Sequence, residues 1–395
     1  MLPENALTTP VVSGVDQRLF RGAYRVGMLG GGQLGRMLIQ AGLPFNLAVH
    51  VLDPQSDAPC RHVCHRFVTG DFSDHRTVVE FGRELDLVTL EIEHVDVDAL
   101  ETLKAAGVRV CPDPALVRTV QDKGLQKQMF QRLDIPTAAF VLCDDRADVA
   151  RHKGRLPGVL KLRRGGYDGR GVMLLGGEAD LQRAFDAPSV LEARVDIAME
   201  LSFIVARSPS GEVRSYPPIE MVFDPALNLV DYLVSPARVD DRVASAGRAL
   251  AQRLAEALDL TGILAVETFL TPAGDLLVNE IAPRPHNSGH HTIEGNVTSQ
   301  FEQHLRAVLD LPLGDPGVLA PAVTVNLVGA PGPSGEPVYR GMRELLAIEG
   351  AHLHLYGKGV TRPGRKMGHV TVVAERVEDA LAKAMAVKAQ VAVSA

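Results

Sequence analysis

The chain has 395 residues, with 41 basic and 48 acidic side chains and a net charge of −7. That balance excludes a general polyanion-binding surface but leaves room for a local basic pocket, and 46% apolar with 23% charged residues excludes a disordered or fibrous chain. No apolar run reaches the ~18 residues of a membrane helix, and the four cysteines make no disulfide framework, so the expectation is a cytoplasmic protein with neither membrane nor nucleic acid among its partners.

Residues 1–22 carry Glu4, Asp16 and Arg18, lack a charged-then-apolar signal pattern and read as a loose leader. From Tyr24 the pattern is β-α-β. Arg25 to Leu29 is an apolar strand, Gly30 to Gly35 a glycine turn, Arg36 to Ala41 a helix, and Leu47 to Leu52 a second strand ending at Asp53. Strands follow at Arg66 to Thr69, Leu87 to Ile92 and Val108 to Cys111, with helical stretches between them, which predicts a parallel sheet covered by helices. Asp122 to Leu133 reads as a helix. A second block holds strands at Val159 to Leu162, Val190 to Glu192, Glu200 to Ala206 and Gly262 to Leu270, with a long helix from Val243 to Leu258. Stretches rich in Pro and Gly, Pro312 to Pro321 and Ala330 to Pro337, mark a boundary before a smaller β-rich unit.

Gly30, Gly32 and Gly35 fit G-x-G-x-x-G between strand and helix, with Asp53 18 residues further on. Glycines there allow a tight turn and close backbone approach, and the helix N-terminus attracts an anion. One reading is an NAD-binding oxidoreductase with Asp53 on the ribose; the other is a tightly packed βαβ turn, or one that serves a different phosphorylated or polar ligand.

Ile263 to Thr271 and Leu276 to Ile281 flank a Pro-Ala-Gly-Asp turn and read as a β-hairpin. If Thr271 pairs with Leu276, Glu267 stands directly opposite Glu280, a repulsive arrangement unless something neutralises it. Mg²⁺ does so, taking one or two carboxylates and completing its shell with phosphates and water. Asn279 faces away in a regular strand and joins such a site only through a local twist or bulge. The alternative is a shifted register, with one glutamate meeting solvent or an arginine.

Lys161 lies on an apolar strand, and Arg164 to Gly171 follows it with four glycines and two arginines. Such a loop presents N–H groups and guanidinium forks to phosphates, although no Walker spacing is present. Beside a paired-carboxylate metal site it points to phosphoryl transfer from ATP; standing alone it is an ordinary hairpin tip. Tyr356 to His369 is cationic, and no acid occurs between Glu349 and Glu375. A phosphate monoester fits that segment, and a solvated basic turn is the bland reading. Cys60 to His65 resembles a metal knuckle without a second ligand pair at zinc spacing. His286, His290 and His291, with Asn287, Ser288 and Gly289 between them, read as a polar substrate loop rather than a zinc site.

Four runs taken together, Gly32 to Met37, Gly165 to Gly171, Asn279 to His290 and Arg362 to His369, resemble the ATP-grasp superfamily and, within it, the N5-carboxyaminoimidazole ribonucleotide synthetases of purine biosynthesis. The resemblance extends from about Val26 to about Val373. It implies an α/β and α+β architecture: a Rossmann-like pre-ATP-grasp domain at 23–120, an ATP-grasp domain at 121–312 with a glycine-rich lid at about 140–195, and a C-terminal β-rich domain at 313–395. It further implies an ATP site built from Lys123, Lys161, Gly166, Tyr167, Asp168, Gly169, Arg170, Gly171, Glu192, Val195, Glu200, Asn279 and Glu280, with Mg²⁺ on Glu267 and Glu280. Gln33, Leu34, Glu91, Asn287, Lys358, Arg365 and Lys366 would hold 5-aminoimidazole ribonucleotide, and Asp168, Arg170 and Lys358 would act in catalysis.

The implied reaction is carboxylation of the ribonucleotide amine by bicarbonate and ATP through carboxyphosphate, in a homodimer. Alternatives are the formate-dependent glycinamide ribonucleotide transformylase of the same superfamily and an NAD-binding oxidoreductase. Phe223 stands where some members have a histidine, and Lys123 where many have an arginine.

Overall fold

The computed structural model describes residues 16–166, 171–224 and 229–395. Among them, the strands Arg66–Thr69, Ala48–Asp53, Arg25–Leu29, Leu87–Leu90 and Arg109–Val110 lie parallel in that spatial order. The central strands are mostly apolar and largely buried on both sides, as a parallel sheet covered by helices requires. One face packs on Leu34, Met37 and Leu38 of helix Gln33–Gly42. The other packs on Val78 of His75–Gly82 and on Leu100 and Leu103 of Val97–Ala105. Three of the helices start at a short acidic side chain: Asp74, Asp96 and Asp122 each accept a hydrogen bond from a first-turn N–H.

A second, antiparallel sheet has the order Phe140–Cys143, Ser189–Ala193, Gly158–Leu162, Val172–Leu175. The third and largest sheet runs from Leu276–Ala282 through Gly262–Leu270, Met199–Arg207, Ile219–Asp224 and Leu229–Ser235. It does not stop at the Pro/Gly-rich boundary. Leu229–Ser235 pairs with Ala322–Val328, which carries the ladder on through Lys366–Val373 to Ala351–Leu355. The C-terminal unit also contains helix Val377–Gln390, whose Ala380, Ala384 and Val387 are buried against this sheet.

Helix Gln300–Val308 seals the first sheet to the third. Its Phe301, Leu305 and Val308 enter the cluster built around Leu34 and Met37, and the His304 ring meets the Thr89 hydroxyl at 2.8 Å. Among the described residues no helix is long and apolar enough to cross a membrane.

Candidate active site

The hairpin places Glu267 opposite Glu280, but not through a regular ladder from a Thr271–Leu276 pair. Pairing starts at Leu270–Leu276 rather than Thr271–Leu276, because Thr271 joins the turn and hydrogen-bonds Asp275 and Gly274. Gly274, at φ +88°, supplies the left-handed conformation that this turn needs. Phe269 then faces Leu277 and Thr268 faces Val278, a register that would bring Glu267 to Asn279. A bulge after Thr268 absorbs Asn279 as the extra residue, and Glu267 meets Glu280. The same irregularity turns Asn279 onto Lys161, whose ammonium donates to its Oδ1 at 2.8 Å. Ser202 lies beside Glu267 in the neighbouring strand, and Glu200 is two residues earlier on that strand's same face.

Lysines surround this face. Lys123, the first residue of helix Lys123–Arg132, donates to Glu280. Lys127, one turn later, is 2% exposed and lies 3.2 Å from Glu192, which Lys161 reaches at 3.1 Å from the neighbouring strand. Lys127 also donates to Thr137 Oγ1 at 2.6 Å, and that hydroxyl donates in turn to the Val278 carbonyl, again at 2.6 Å. Gln126 accepts from the Ile281 N–H at 3.1 Å. One helix is thus stitched along the bulged strand. Lys127 and Gln126 escaped the sequence reading, although the spacing of four between Lys123 and Lys127 puts both ammoniums on one helix face.

The electrostatics separate the two glutamates. Lys123 holds Glu280 well below the ordinary carboxylate range. Burial, and then the facing Glu280, push Glu267 well above it. Burial also raises Glu200 to about 7 and lowers Lys127 to about 8. His286 Nε2 lies 3.2 Å from Glu267, and its Nδ1 contacts Ser288 Oγ at 2.9 Å. Two opposed carboxylates suit Mg²⁺, a hard cation that uses few protein oxygens and leaves the rest of its shell to phosphate and water. The donor set of Glu267 and Glu280 therefore fits that ion.

The glycine turn has a different occupant from the one its fingerprint advertises. Asp53 accepts from the Gly31 N–H at 2.7 Å and from the Gln55 N–H at 2.8 Å, so its carboxylate is spent on the turn itself. At the N-terminus of helix Gln33–Gly42, where a pyrophosphate would sit, Glu91 accepts from the Leu34 N–H at 3.2 Å. A Cβ on Gly32 would stand 2.4 Å from Glu91 Oε1 and one on Gly30 2.8 Å from Oε2, so these glycines make room for a carboxylate. Burial raises Glu91 to about 7. The Cys60 thiol, which the knuckle pattern had offered to a metal, donates to the Gly32 carbonyl at 3.5 Å.

The basic segment reaches this turn from the C-terminal side. Gly357 comes near the Arg36 guanidinium and Gly359 near Asp57, and the Lys358 charge acts on Glu91. Lys358 Nζ donates to the Lys366 carbonyl at 2.7 Å, and Arg365 donates to the Val360 carbonyl at 2.6 Å. The Lys366 charge acts on Glu267, so the hairpin glutamates and the basic segment share one field. Arg284, paired with Glu93 at 2.8 Å, bridges from the end of the bulged strand to the glycine-turn domain. Asn287 follows it, with a buried Oδ1 that finds no hydrogen-bond partner among the described residues.

Gln33 opens the helix beside Glu91, and Val195 follows the strand that carries Glu192. Tyr167, Asp168, Gly169 and Arg170 lie outside the described residues. At the ends of that loop, Gly166 and Gly171 approach closely, while Arg163 is committed to a two-pronged pair with Asp122 at 2.8 Å on both contacts.

Three family models match successive stretches of the chain. They are a ribonucleotide synthetase preATP-grasp domain over residues 23–121, an ATP-grasp domain over 128–301, and a phosphoribosylaminoimidazole carboxylase C-terminal domain over 322–383. The N5-carboxyaminoimidazole ribonucleotide synthase of Bacillus subtilis is 38% identical, over 90% of this chain and 92% of its own length. A chloroplastic phosphoribosylaminoimidazole carboxylase of Vigna aconitifolia is 40% identical over 88% of this chain, which spans only 64% of that longer protein. An N5-carboxyaminoimidazole synthase structure from Aspergillus clavatus, in complex with ADP and the aminoimidazole ribonucleotide, superposes with a TM-score of 0.84. It is 34% identical, over 92% of this chain and 96% of that one.

Proposed function

This chain belongs to the N5-carboxyaminoimidazole ribonucleotide synthase family, and from that premise we propose that it carboxylates 5-aminoimidazole ribonucleotide with bicarbonate and ATP, releasing ADP and phosphate. The observation that carries the reading is the opposed Glu267/Glu280 pair, with the lysine cluster on one side and the basic segment on the other.

In this reading ATP lies over the lysines. Lys123 and Lys161 offset its phosphate charge, Glu192 and Glu200 serve the adenine and ribose ends, and Lys127 holds Glu192 in place. Mg²⁺ on Glu267 and Glu280, when bound, neutralises charge on the phosphates. A bicarbonate oxygen attacks the γ-phosphorus and ADP leaves. The amine nitrogen of the ribonucleotide then attacks the carboxyl carbon of the resulting carboxyphosphate; phosphate departs and the nitrogen gives up a proton. The ribonucleotide sits between the Leu34 turn with Glu91 and the segment bearing Lys358, Arg365 and Lys366, whose cations match a phosphate monoester. Asn287 offers its buried oxygen there. Asp168 and Arg170 belong to the same proposal as the groups that orient the amine and the transferred phosphoryl. A cytoplasmic homodimer is the assembly this reading expects, which sedimentation tests.

The deciding experiment measures ADP release with each component left out in turn. Release that needs Mg²⁺, bicarbonate and the aminoimidazole ribonucleotide supports the assignment. Turnover only with formate and glycinamide ribonucleotide would transfer the chain to the transformylase reaction.

A further inference from the structure

Behind the ribonucleotide side of the site, three imidazoles from three separate segments form a stack. His354 lies on Ala351–Leu355, His369 directly opposite it on Lys366–Val373, and His290 in the loop after Asn287. The His354–His369 centroids are 4.5 Å apart with planes at 11°, and the His369–His290 centroids 4.4 Å apart with planes at 20°. His369 is the middle ring and is wholly buried, as are His290 and Tyr356. The Tyr356 hydroxyl meets His369 Nδ1 at 3.0 Å.

That contact closes the base of the basic segment. Tyr356 begins it and His369 ends it; Lys358 stands two residues inside one end and Lys366 three inside the other. The Lys358 ammonium lies 5.3 Å above the Tyr356 ring. On its other face His369 presses on His290, three residues after Asn287. One imidazole therefore touches two of the chain segments to which the ribonucleotide is assigned, and its ring and hydrogen-bond partners among the described residues include no group assigned to ATP. The charged and titratable groups around the stack are Glu294, which holds His354 at 2.6 Å, with Lys366, His286 and His291. Burial keeps His290 and His369 neutral, the state in which rings at this spacing do not repel.

We infer that His369 is a positioning residue for the ribonucleotide: through the Tyr356 hydroxyl and the His290 ring it holds Lys358 and Lys366 in register with the Asn287 loop. The inference rests on the proposed reaction. Its test compares KM for the ribonucleotide with KM for ATP in H369A, H369F and Y356F. H369F keeps a ring in the stack and Y356F keeps the core filled, so these two report even where H369A folds poorly. Loss of the hydroxyl–imidazole bond should raise the ribonucleotide KM about tenfold while leaving the ATP KM within about twofold. H369F combined with Y356F should be no worse than either alone, because both remove one bond. Equal rises in both KM values, or a lower melting temperature with the ribonucleotide KM unchanged, would overturn the inference and leave the function standing. Unaltered protein whose ADP release ignores the ribonucleotide would overturn both.

Discussion

Glu280 stands opposite Glu267 because Asn279 is taken up as an extra residue in its strand; the register set by the turn would otherwise have paired Glu267 with Asn279. One inserted residue thus converts a glutamate–asparagine contact into a carboxylate pair and delivers the displaced asparagine to Lys161.

The Glu280→Gln variant keeps an oxygen for Lys123 but loses the charge. Mg²⁺-dependent ADP release should fall by at least about 100-fold, with far-UV circular dichroism unchanged. A rate within a few-fold of the unaltered protein would remove Glu280 from its assigned role.

Proton release should accompany Mg²⁺ binding. Burial and the facing Glu280 make Glu267 hold its proton more tightly than an ordinary carboxyl, so Mg²⁺ binding there should displace a proton. Calorimetry in buffers of different ionisation enthalpy should find greater proton release at about pH 7 than at about pH 9.5, because above its raised value Glu267 is already ionised. Release that does not fall with rising pH would contradict this account.

Glu91 gives a stability signature with a definite sign. Its value in the fold is raised from 4.5 to about 7, so ionising it costs stability progressively between those values, and the full cost is present above pH 7. Glu91→Gln keeps an acceptor for the Leu34 N–H and carries no charge. Relative to the unaltered protein it should melt higher at about pH 8 than it does at about pH 5, while its ribonucleotide KM rises about tenfold. Differential scanning calorimetry at the two pH values checks the sign.

Asp53 should behave as a structural group. Replacing it with Asn weakens the charge-assisted bonds to Gly31 and Gln55 and should cost about 1–2 kcal/mol in chemical denaturation. NADH fluorescence titration of the unaltered protein should show no saturable binding. A saturable NADH site abolished by Asp53→Asn would restore the dinucleotide reading.

Lys127→Met leaves Glu192 with Lys161 as its remaining ion-pair partner. Breaking this buried contact should cost about 3 kcal/mol of stability and raise the ATP KM more than the ribonucleotide KM. Urea denaturation and paired KM measurements check both parts.

What the sequence disclosed follows from the range of each interaction. The β-α-β start, the parallel sheet and the hairpin were readable because apolar spacing and turn residues act over a few neighbours. The bulge at Asn279 was legible only as a condition: helix Lys123–Arg132 holds the shifted strand through Gln126 and, by way of Lys127, Thr137, more than a hundred residues away in the chain. Asp53 was visible as a motif position, while its commitment to Gly31 depended on a turn closing over it. Strands Ile219–Asp224 and Leu229–Ser235 passed unnoticed because Pro217 and Pro218, Pro225 and Pro236 break the apolar pattern around them. The histidine stack joins three segments distant in the chain: the pairing of Ala351–Leu355 with Lys366–Val373 sets two of the rings opposite, and the loop after Asn287 brings the third.

The ladder from Leu229–Ser235 into Ala322–Val328 has a consequence for anyone who would shorten this protein. Cutting the chain after Leu313 removes the hydrogen-bonding partner of Tyr232 to Ser235 and bares an edge strand, the kind of template on which other chains stick. The last eighty or so residues act as the stopper on that sheet, and a truncated product should aggregate rather than remain as a smaller, soluble nucleotide-binding fragment.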